Sequence, residues 1–404
     1  MKVTVIGIGR VGLPLALHLD AMGHEVYVYD RNPVAYNAII ERKSTFSEPS
    51  INDALAHHQI RIVNNGQLEK TDAYIITVGT PVNQHFLPDT SMVEDALGLI
   101  IRSGFMQHSL TILRSTIPPG FCENFTTMLF KTHNMVLDLD YNFAYCPERI
   151  AEGAAFEEMN SHPQIIGTDW DSSESALACI KLFRQNLLVF RTYKEAEVMK
   201  LATNTYRMMH FAISNYLQMA CDKHDVDFGR IADPMSYGYP RLKTMAKPGF
   251  VAGTCLRKDF AMLGQPGDLA FQSYMTNERY PQWIADTYLC QGQRVAILGA
   301  GFKDGSDDLR DSHVEMLYNK VIAKTGLEPY VVDFELPEWQ SYTWSGGTSF
   351  VNQDIETVSQ YEFDVVIFGT PCTKQAGLIE GSGILDDKIV LDPWVKDGQL
   401  QTEY

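Results

Sequence analysis

The chain of 404 residues exceeds a single ordinary core, so two or three domains are expected. Its 45% hydrophobic and 21% charged residues are those of a water-soluble globular protein, and a net charge of −17 argues against DNA, RNA or anionic membrane as a general partner. Seven cysteines without CxxC or paired spacing indicate neither a zinc site nor a disulfide framework, so no metal is expected. "MKVTVIGIGRVG" has no signal-peptide pattern, and no apolar run approaches the roughly 20 residues that span a bilayer, so the expected location is cytoplasmic.

In chain order, "VTVIGIGRVGLPLALHLDAMGHEVYVYD" reads as strand, glycine turn, helix and strand. Gly7 permits the tight turn, Gly9 lets backbone approach a pyrophosphate, and Gly12 allows close packing of helix on strand. Asp30, closing the second strand, can accept hydrogen bonds from ribose hydroxyls, which favours NAD, while Arg31 beside it leaves NADP open. Apolar strands recur at 72–81, 109–120 and 142–153, each ending in Gly, Thr, Ser or Pro, as at the ligand edge of a parallel sheet.

From Lys194 to about His224 the apolar spacing predicts one long amphipathic helix. It is followed by a Pro- and Gly-rich loop and "PGFVAGTCLRKD". At 293 a second strand and glycine turn appear, "QRVAILGAGFKDGSDDLRDS", and "DAYIITVGTP" is echoed by "DVVIFGTP". Gly7 to Gly79 spans nearly the same length as Gly299 to Gly369, an internal repeat of an α/β unit. The predicted architecture is two Rossmann-like, doubly wound α/β domains (1–190 and 289–404) joined by a central helical domain (191–288).

Cys255 has two readings on local sequence: a buried structural thiol, or a nucleophile activated by a helix start and nearby cations. Lys200 and Asn204 share i,i+4 spacing, so an ammonium and an amide can meet a developing oxyanion together, and Asp259 follows Cys255 at the same spacing.

Seven motifs arrive in order: the glycine fingerprint, "VGTP", "STIPPG", "CPERIAEG", "EVMKLATN", "PGFVAGTCLRKD" and "GFKDGSDDLRDS". Over essentially its whole length the chain resembles the nucleotide-sugar 6-dehydrogenases, the family of UDP-glucose, UDP-N-acetylmannosamine and GDP-mannose dehydrogenases. The resemblance implies NAD-dependent four-electron oxidation of a sugar C6 alcohol to a uronic acid through a thiohemiacetal and a thioester on Cys255. It gives Lys200 and Asn204 the C6 oxygen, Asp259 the orientation of water or lysine, and Thr116 and Glu148 the hydrolytic water. Glu152 matches a second glutamate of the UDP-glucose branch, or is a helix-start carboxylate. Thr80, Thr116 and Arg310 fall to the cofactor, and Glu148, Lys200, Asn204, Arg241, Gly253 and Lys303 to the sugar nucleotide.

Ala-Gly-Thr precedes the cysteine where the family commonly has Gly-Gly and Ser or His, and Arg257 replaces a common proline. "CPERIAEG" resembles the N-acetylhexosamine branch, so a UDP-N-acetylmannosamine-like UDP-sugar is the expected substrate, with UDP-glucose the alternative. A two-electron hydroxyacid dehydrogenase of the 6-phosphogluconate type and a non-catalytic nucleotide-sugar sensor are the competing classes. Tyr206, Met209, Ile213, Tyr216, Leu217 and Ala220 form an apolar stripe on the long helix, which predicts a homodimer.

Overall fold

Residues 2–6, KVTVI, are buried from Val3 onward, as suits a strand covered on both faces. The computed structural model describes residues 1–63, 67–169, 173–184, 186–242, 245–394 and 401–403. In it this strand (β1, Lys2–Ile6) leads through the glycine turn to helix Gly12–Ala21 and strand β2 (Glu25–Tyr29). Strands β3 (Arg61–Ile62), β4 (Ala73–Ile76), β5 (Leu110–Leu113), β6 (Asn142–Tyr145), β7 (Gln164–Gly167) and β8 (Leu187–Phe190) complete one sheet. Its order is β3-β2-β1-β4-β5-β6-β7-β8, and every neighbouring pair is parallel except β6 with β7.

Alternate residues of these strands feed two separate cores. Val3, Val5, Ala73, Ile75, Ile112 and Ala144 pack with helix Gly12–Ala21 on one face. Ile6, Tyr74, Ile76, Leu113, Phe143 and Tyr145 pack with helices Ser91–Arg102 and Phe121–His133 on the other. Both faces are thus covered, the doubly wound arrangement expected from near-continuous apolar strands.

The second sheet contains β9 (Val295–Leu298) and β10 (Tyr330–Val332). After a hairpin of β11 (Ser341–Thr343) and β12 (Ser349–Val351) come β13 (Val365–Phe368), β14 (Ile389–Leu391) and β15 (Gln401–Glu403). Its order, β10-β9-β13-β14-β15, repeats the β2-β1-β4-β5 order of the first sheet, with only the last pair antiparallel.

The predicted long helix runs from Tyr193 to Asp222, stopping two residues before the expected end as the chain turns at Asp225 with φ 54°. Two compact units divide the chain, Met1–Thr203 with Ala261–Leu263 and Asn204–Phe260 with Gly264–Tyr404, so the boundary falls within this helix. Among the described residues no helix is long and apolar enough to cross a membrane.

Candidate active site

Tyr29, Ile6, Ile76, Leu113 and Tyr145 form one continuous rung across β2, β1, β4, β5 and β6. Parallel strands leave that rung at the same edge, so the residues that follow it are delivered together. They are Asp30, the turn Gly7–Gly9, Thr77–Thr80, Thr116 and Glu148. The strand register alone therefore gathers most of the sequence candidates of the first unit.

Gly7, Gly9, Asp30, Arg31, Thr77, Val78 and Gly79 line a cavity of about 390 Å³ at this edge. A Cβ on Gly12 would lie 1.8 Å from the Gly7 carbonyl oxygen, so no other residue lets the helix start so close to the strand. A Cβ on Gly9 would meet nothing within 4 Å, which leaves its backbone open to the cavity. Thr77 Oγ1 donates to the Gly7 carbonyl at 2.6 Å, and Asp30 accepts from Ile8 N at 2.8 Å and Asn32 N at 2.8 Å. The open cradle at a helix start, with a carboxylate at the end of β2, fits a dinucleotide. Thr80 is buried just past Gly79.

Thr116 is half-buried beyond β5. The Glu148 carboxylate is held by the buried Arg114 guanidinium and accepts from Arg149 N at 2.7 Å and Ile150 N at 3.0 Å. Arg114 in turn donates to Gln164 Oε1 at 2.7 Å and the Cys146 carbonyl at 3.3 Å. Sequence reasoning missed Arg114; its signal is a lone cation ending the fully buried run LTIL. Glu152 does not begin a helix: helix Ala155–Ser161 starts later, and Glu152 reaches 3.4 Å from Arg10 inside the glycine turn. It is a partner of the fingerprint loop, not a helix-dipole carboxylate.

Glu197, one turn before Lys200, is fully buried and accepts from Gly120 N at 2.5 Å and Cys122 N at 3.0 Å. It thereby fixes the end of "STIPPG" at the start of helix Phe121–His133, a role that the helical spacing of "EAEVMK" left unmarked. Lys200 is buried at 5% exposure on the same helix.

In the second unit Cys255 is exposed, whereas Cys122, Cys146, Cys179 and Cys372 are buried. The structural-thiol reading of Cys255 therefore lacks the burial it needs. Cys255 lies in turns ahead of the short helix Asp259–Leu263, not within it, and Asp259 N donates to its carbonyl at 3.0 Å. Asp259 is fully buried; its two oxygens take Asn204 Nδ2 at 2.7 Å and Lys258 Nζ at 3.0 Å. The structure thus joins Asn204, Lys258 and Asp259 directly beside the thiol turn. Gly253 has φ 88°, and a Cβ there would lie 2.6 Å from the Phe302 ring.

The second glycine turn repeats the first in its hydrogen bonds. Asp333, at the end of β10, accepts from Ala300 N at 2.6 Å and Gly301 N at 3.2 Å, as Asp30 does from Ile8. Sequence reasoning missed Asp333, because the second glycine turn lacks the third glycine that marks such a carboxylate. Burial pushes its carboxyl up while these amides oppose the shift. Lys303 is half-buried with Nζ 6.0 Å from the Phe302 ring centre. The exposed Arg310 makes a forked pair with the buried Asp308, Nη2 to Oδ2 at 2.6 Å. Arg241 is exposed and lies over Tyr239, 5.7 Å from its ring centre.

Two sequence profiles match the chain: the NAD-binding domain of the UDP-glucose/GDP-mannose dehydrogenase family over residues 1–186, and the central domain of the same family over 194–273. A UDP-N-acetyl-D-mannosamine dehydrogenase of Campylobacter jejuni is 28% identical over 359 residues, 82% of this chain and 86% of that one. An NDP-N-acetyl-D-galactosaminuronic acid dehydrogenase of Ralstonia nicotianae is 28% identical over 357 residues, 81% of this chain and 83% of that one. The solved UDP-D-ManNAc dehydrogenase of Pyrococcus horikoshii superposes with a TM-score of 0.82 at 25% identity, covering 97% of this chain and 95% of that one. With the NAD cradle on β1 and β2 and the motifs in order, the chain belongs to the UDP-glucose/GDP-mannose dehydrogenase family and is an NAD-dependent nucleotide-sugar dehydrogenase.

Proposed function

We propose that the protein oxidises the C6 alcohol of a UDP-N-acetylhexosamine, of the N-acetylmannosamine type, to the uronic acid. The observation that carries this reading is the exposed Cys255 beside the buried Asp259, itself held by Asn204 and Lys258. The sugar assignment is supported by the similarity to UDP-N-acetyl-D-mannosamine and NDP-N-acetyl-D-galactosaminuronic acid dehydrogenases and by "CPERIAEG".

NAD supplies the hydride acceptor for both oxidations, so one sugar and one water give one carboxylate, two NADH and three protons. Lys200 and Asn204 stabilise the C6 oxygen as its proton leaves and the aldehyde forms. The Cys255 thiolate adds to the aldehyde carbon, forming a C–S bond and a thiohemiacetal. Loss of its hydride gives a thioester, and water held by Thr116 and Glu148 attacks the carbonyl. The C–S bond breaks, the thiolate leaves, and a proton is released. Gly253, Arg241 and Lys303 contact the sugar nucleotide, and Arg310 the cofactor pyrophosphate.

The proposed division is NAD domain 1–190, central helical domain 191–288 and sugar-nucleotide domain 289–404, in a cytoplasmic homodimer that supplies polysaccharide synthesis. A panel of UDP- and GDP-sugars, followed by NADH yield per sugar, tests the assignment. Two NADH on a UDP-N-acetylhexosamine is expected. A yield of one points to a two-electron dehydrogenase, none to a sensor, and kcat/KM for UDP-glucose roughly tenfold above every N-acetylated sugar overturns the substrate.

A further inference from the structure

Arg257 lies two residues after Cys255, at the position where the family's common proline is replaced. Its guanidinium grips Glu278 with two parallel bonds, Nε to Oε1 at 3.1 Å and Nη2 to Oε2 at 2.8 Å. Such a fork fixes geometry as well as charge, because both planes are held. Glu278 sits on helix Leu269–Tyr288, and its Oε1 also lies 2.7 Å from His313 Nε2. The other ring nitrogen, Nδ1, is 3.1 Å from Val251 N.

A backbone N–H can only donate, so Nδ1 is the acceptor and Nε2 carries the proton it gives to Glu278. His313 is 1% exposed, and burial lowers its pKa, which keeps this neutral tautomer in place at neutral pH. The connections close a ring: Val251, His313, Glu278, Arg257, and back along the chain through Cys255.

Two more ties join the same loop to the same segment. Gly253 N donates to the Asp311 carbonyl at 3.1 Å, and Arg257 Nη1 lies 3.5 Å from Asp311 Oδ1. Between them Ser312 caps helix His313–Thr325, and its hydroxyl is placed 3.0 Å from the Ala300 carbonyl and 2.9 Å from that of Gly301, in the second glycine turn. The thiol loop is therefore anchored before Cys255 at Val251 and Gly253, and after it at Arg257. Only Thr254, Cys255 and Leu256 lie between the anchors.

Resting on the assignment of Cys255 as the nucleophile, we propose that Arg257 is a positioning residue for the thiol, acting through Glu278 and His313 and registering it against the second glycine turn. Here a half-buried ion pair and a neutral histidine hold the loop from outside. Oxidation of the alcohol needs no thiol, whereas oxidation of the aldehyde needs the sulfur at bonding distance from C6. A loosened loop therefore slows the second oxidation selectively, since a displacement of about 1 Å is sufficient to cost a large factor in rate.

The test uses the intact protein and two substrates: the UDP-sugar giving the highest NADH yield, and its 6-aldehyde. Arg257→Met keeps the stem and removes the fork; Glu278→Gln is isosteric but turns an amide donor towards either Arg257 or His313; Arg257→Lys keeps the charge without the fork. For Arg257→Met and Glu278→Gln, kcat on the aldehyde should fall roughly tenfold or more, with KM for sugar within about twofold and Arg257→Lys intermediate. Iodoacetamide labelling of Cys255, located by mass spectrometry, should change several-fold in the same order.

Aldehyde turnover within about twofold of the parent in both Arg257→Met and Glu278→Gln overturns the relay. An equal loss on alcohol and aldehyde that merely follows a lowered Tm overturns it too, because that is general destabilisation. Cys255→Ser in the same assay separates the two failures. If that variant still oxidises the aldehyde, the nucleophile assignment falls and the relay with it; if it is inactive while the relay variants match the parent, the relay alone is wrong.

Discussion

Burial pushes the Glu278 carboxyl up, but the hydrogen bond from His313 and the Arg257 guanidinium outweigh it and hold the group at about 2, against 4.5 when unfolded. A depressed carboxyl stabilises the fold above its unfolded value and loses that contribution as pH falls through the folded one. The displacement corresponds to a contribution on the order of 3 kcal/mol at neutral pH, lost between about pH 4.5 and pH 2. His313 adds the same sign from a higher start: its lowered pKa destabilises the fold once pH drops below 6.5. Urea titrations of parent and Glu278→Gln should therefore differ most at neutral pH and converge on acidification. A gap unchanged down to pH 3 contradicts the assignment. At Cys255, replacement by serine should abolish uronate formation and leave NAD binding intact, since the cradle at Gly7–Gly12 belongs to the other unit. Two NADH per sugar at more than a few per cent of the parent rate refutes the nucleophile. The cysteines themselves show what sequence leaves open: spacing indicates no disulfide framework, but only the fold separates the exposed Cys255 and Cys290 from four buried thiols.

Helix Phe121–His133 begins at a glycine with φ 91° and has no capping side chain of its own; Glu197, from the long helix, fills that place with two amide bonds. Glu197→Ala leaves both N–H groups buried and unpaired, so a loss of about 2–4 kcal/mol in chemical denaturation is expected, and less for Glu197→Gln. An alanine variant within 0.5 kcal/mol of the parent, roughly the size of a surface substitution, refutes the cap. Such long-range ties are the part of the site that the sequence hides. The elements themselves were legible: "VTVIGIG" and "RVAILGAG" carry apolar runs of strand length into glycines, and the long helix carries its own period. Asp30 was found because its distance from a glycine fingerprint is characteristic, and Asp333, with the same hydrogen bonds, was missed because the second turn lacks the third glycine of that pattern. No local signature shows what Arg114, Glu278 and His313 bind. Their meaning arises from partners 34, 21 and 35 positions away in sequence.

At the scale of the whole molecule the open question is what covers the long helix. On its inner side Ser214 bonds the Ala246 carbonyl, and Asn215 bonds Gly249 and Asn277, so that face is committed to its own unit. On the outer side Tyr206, Ile213 and Tyr216 are 65%, 53% and 61% exposed, while Met209, Leu217 and Ala220 of the same predicted stripe are half-buried. Three large apolar side chains at spacings of seven and three form one stripe, and in the proposed dimer a two-fold axis through it would bury that stripe against its own copy. Each such side chain contributes roughly 1.5–3 kcal/mol when covered, so removing both tyrosines from both copies should weaken pairing by well over a hundredfold. Light scattering at micromolar concentration should give twice the chain mass for the parent and the single mass for Tyr206→Glu/Tyr216→Glu. A Tm for the double variant that depends on protein concentration less steeply than the parent's gives the same answer by mass action. A parent that scatters as one chain with full activity rejects the dimer and leaves the stripe as solvent-facing surface.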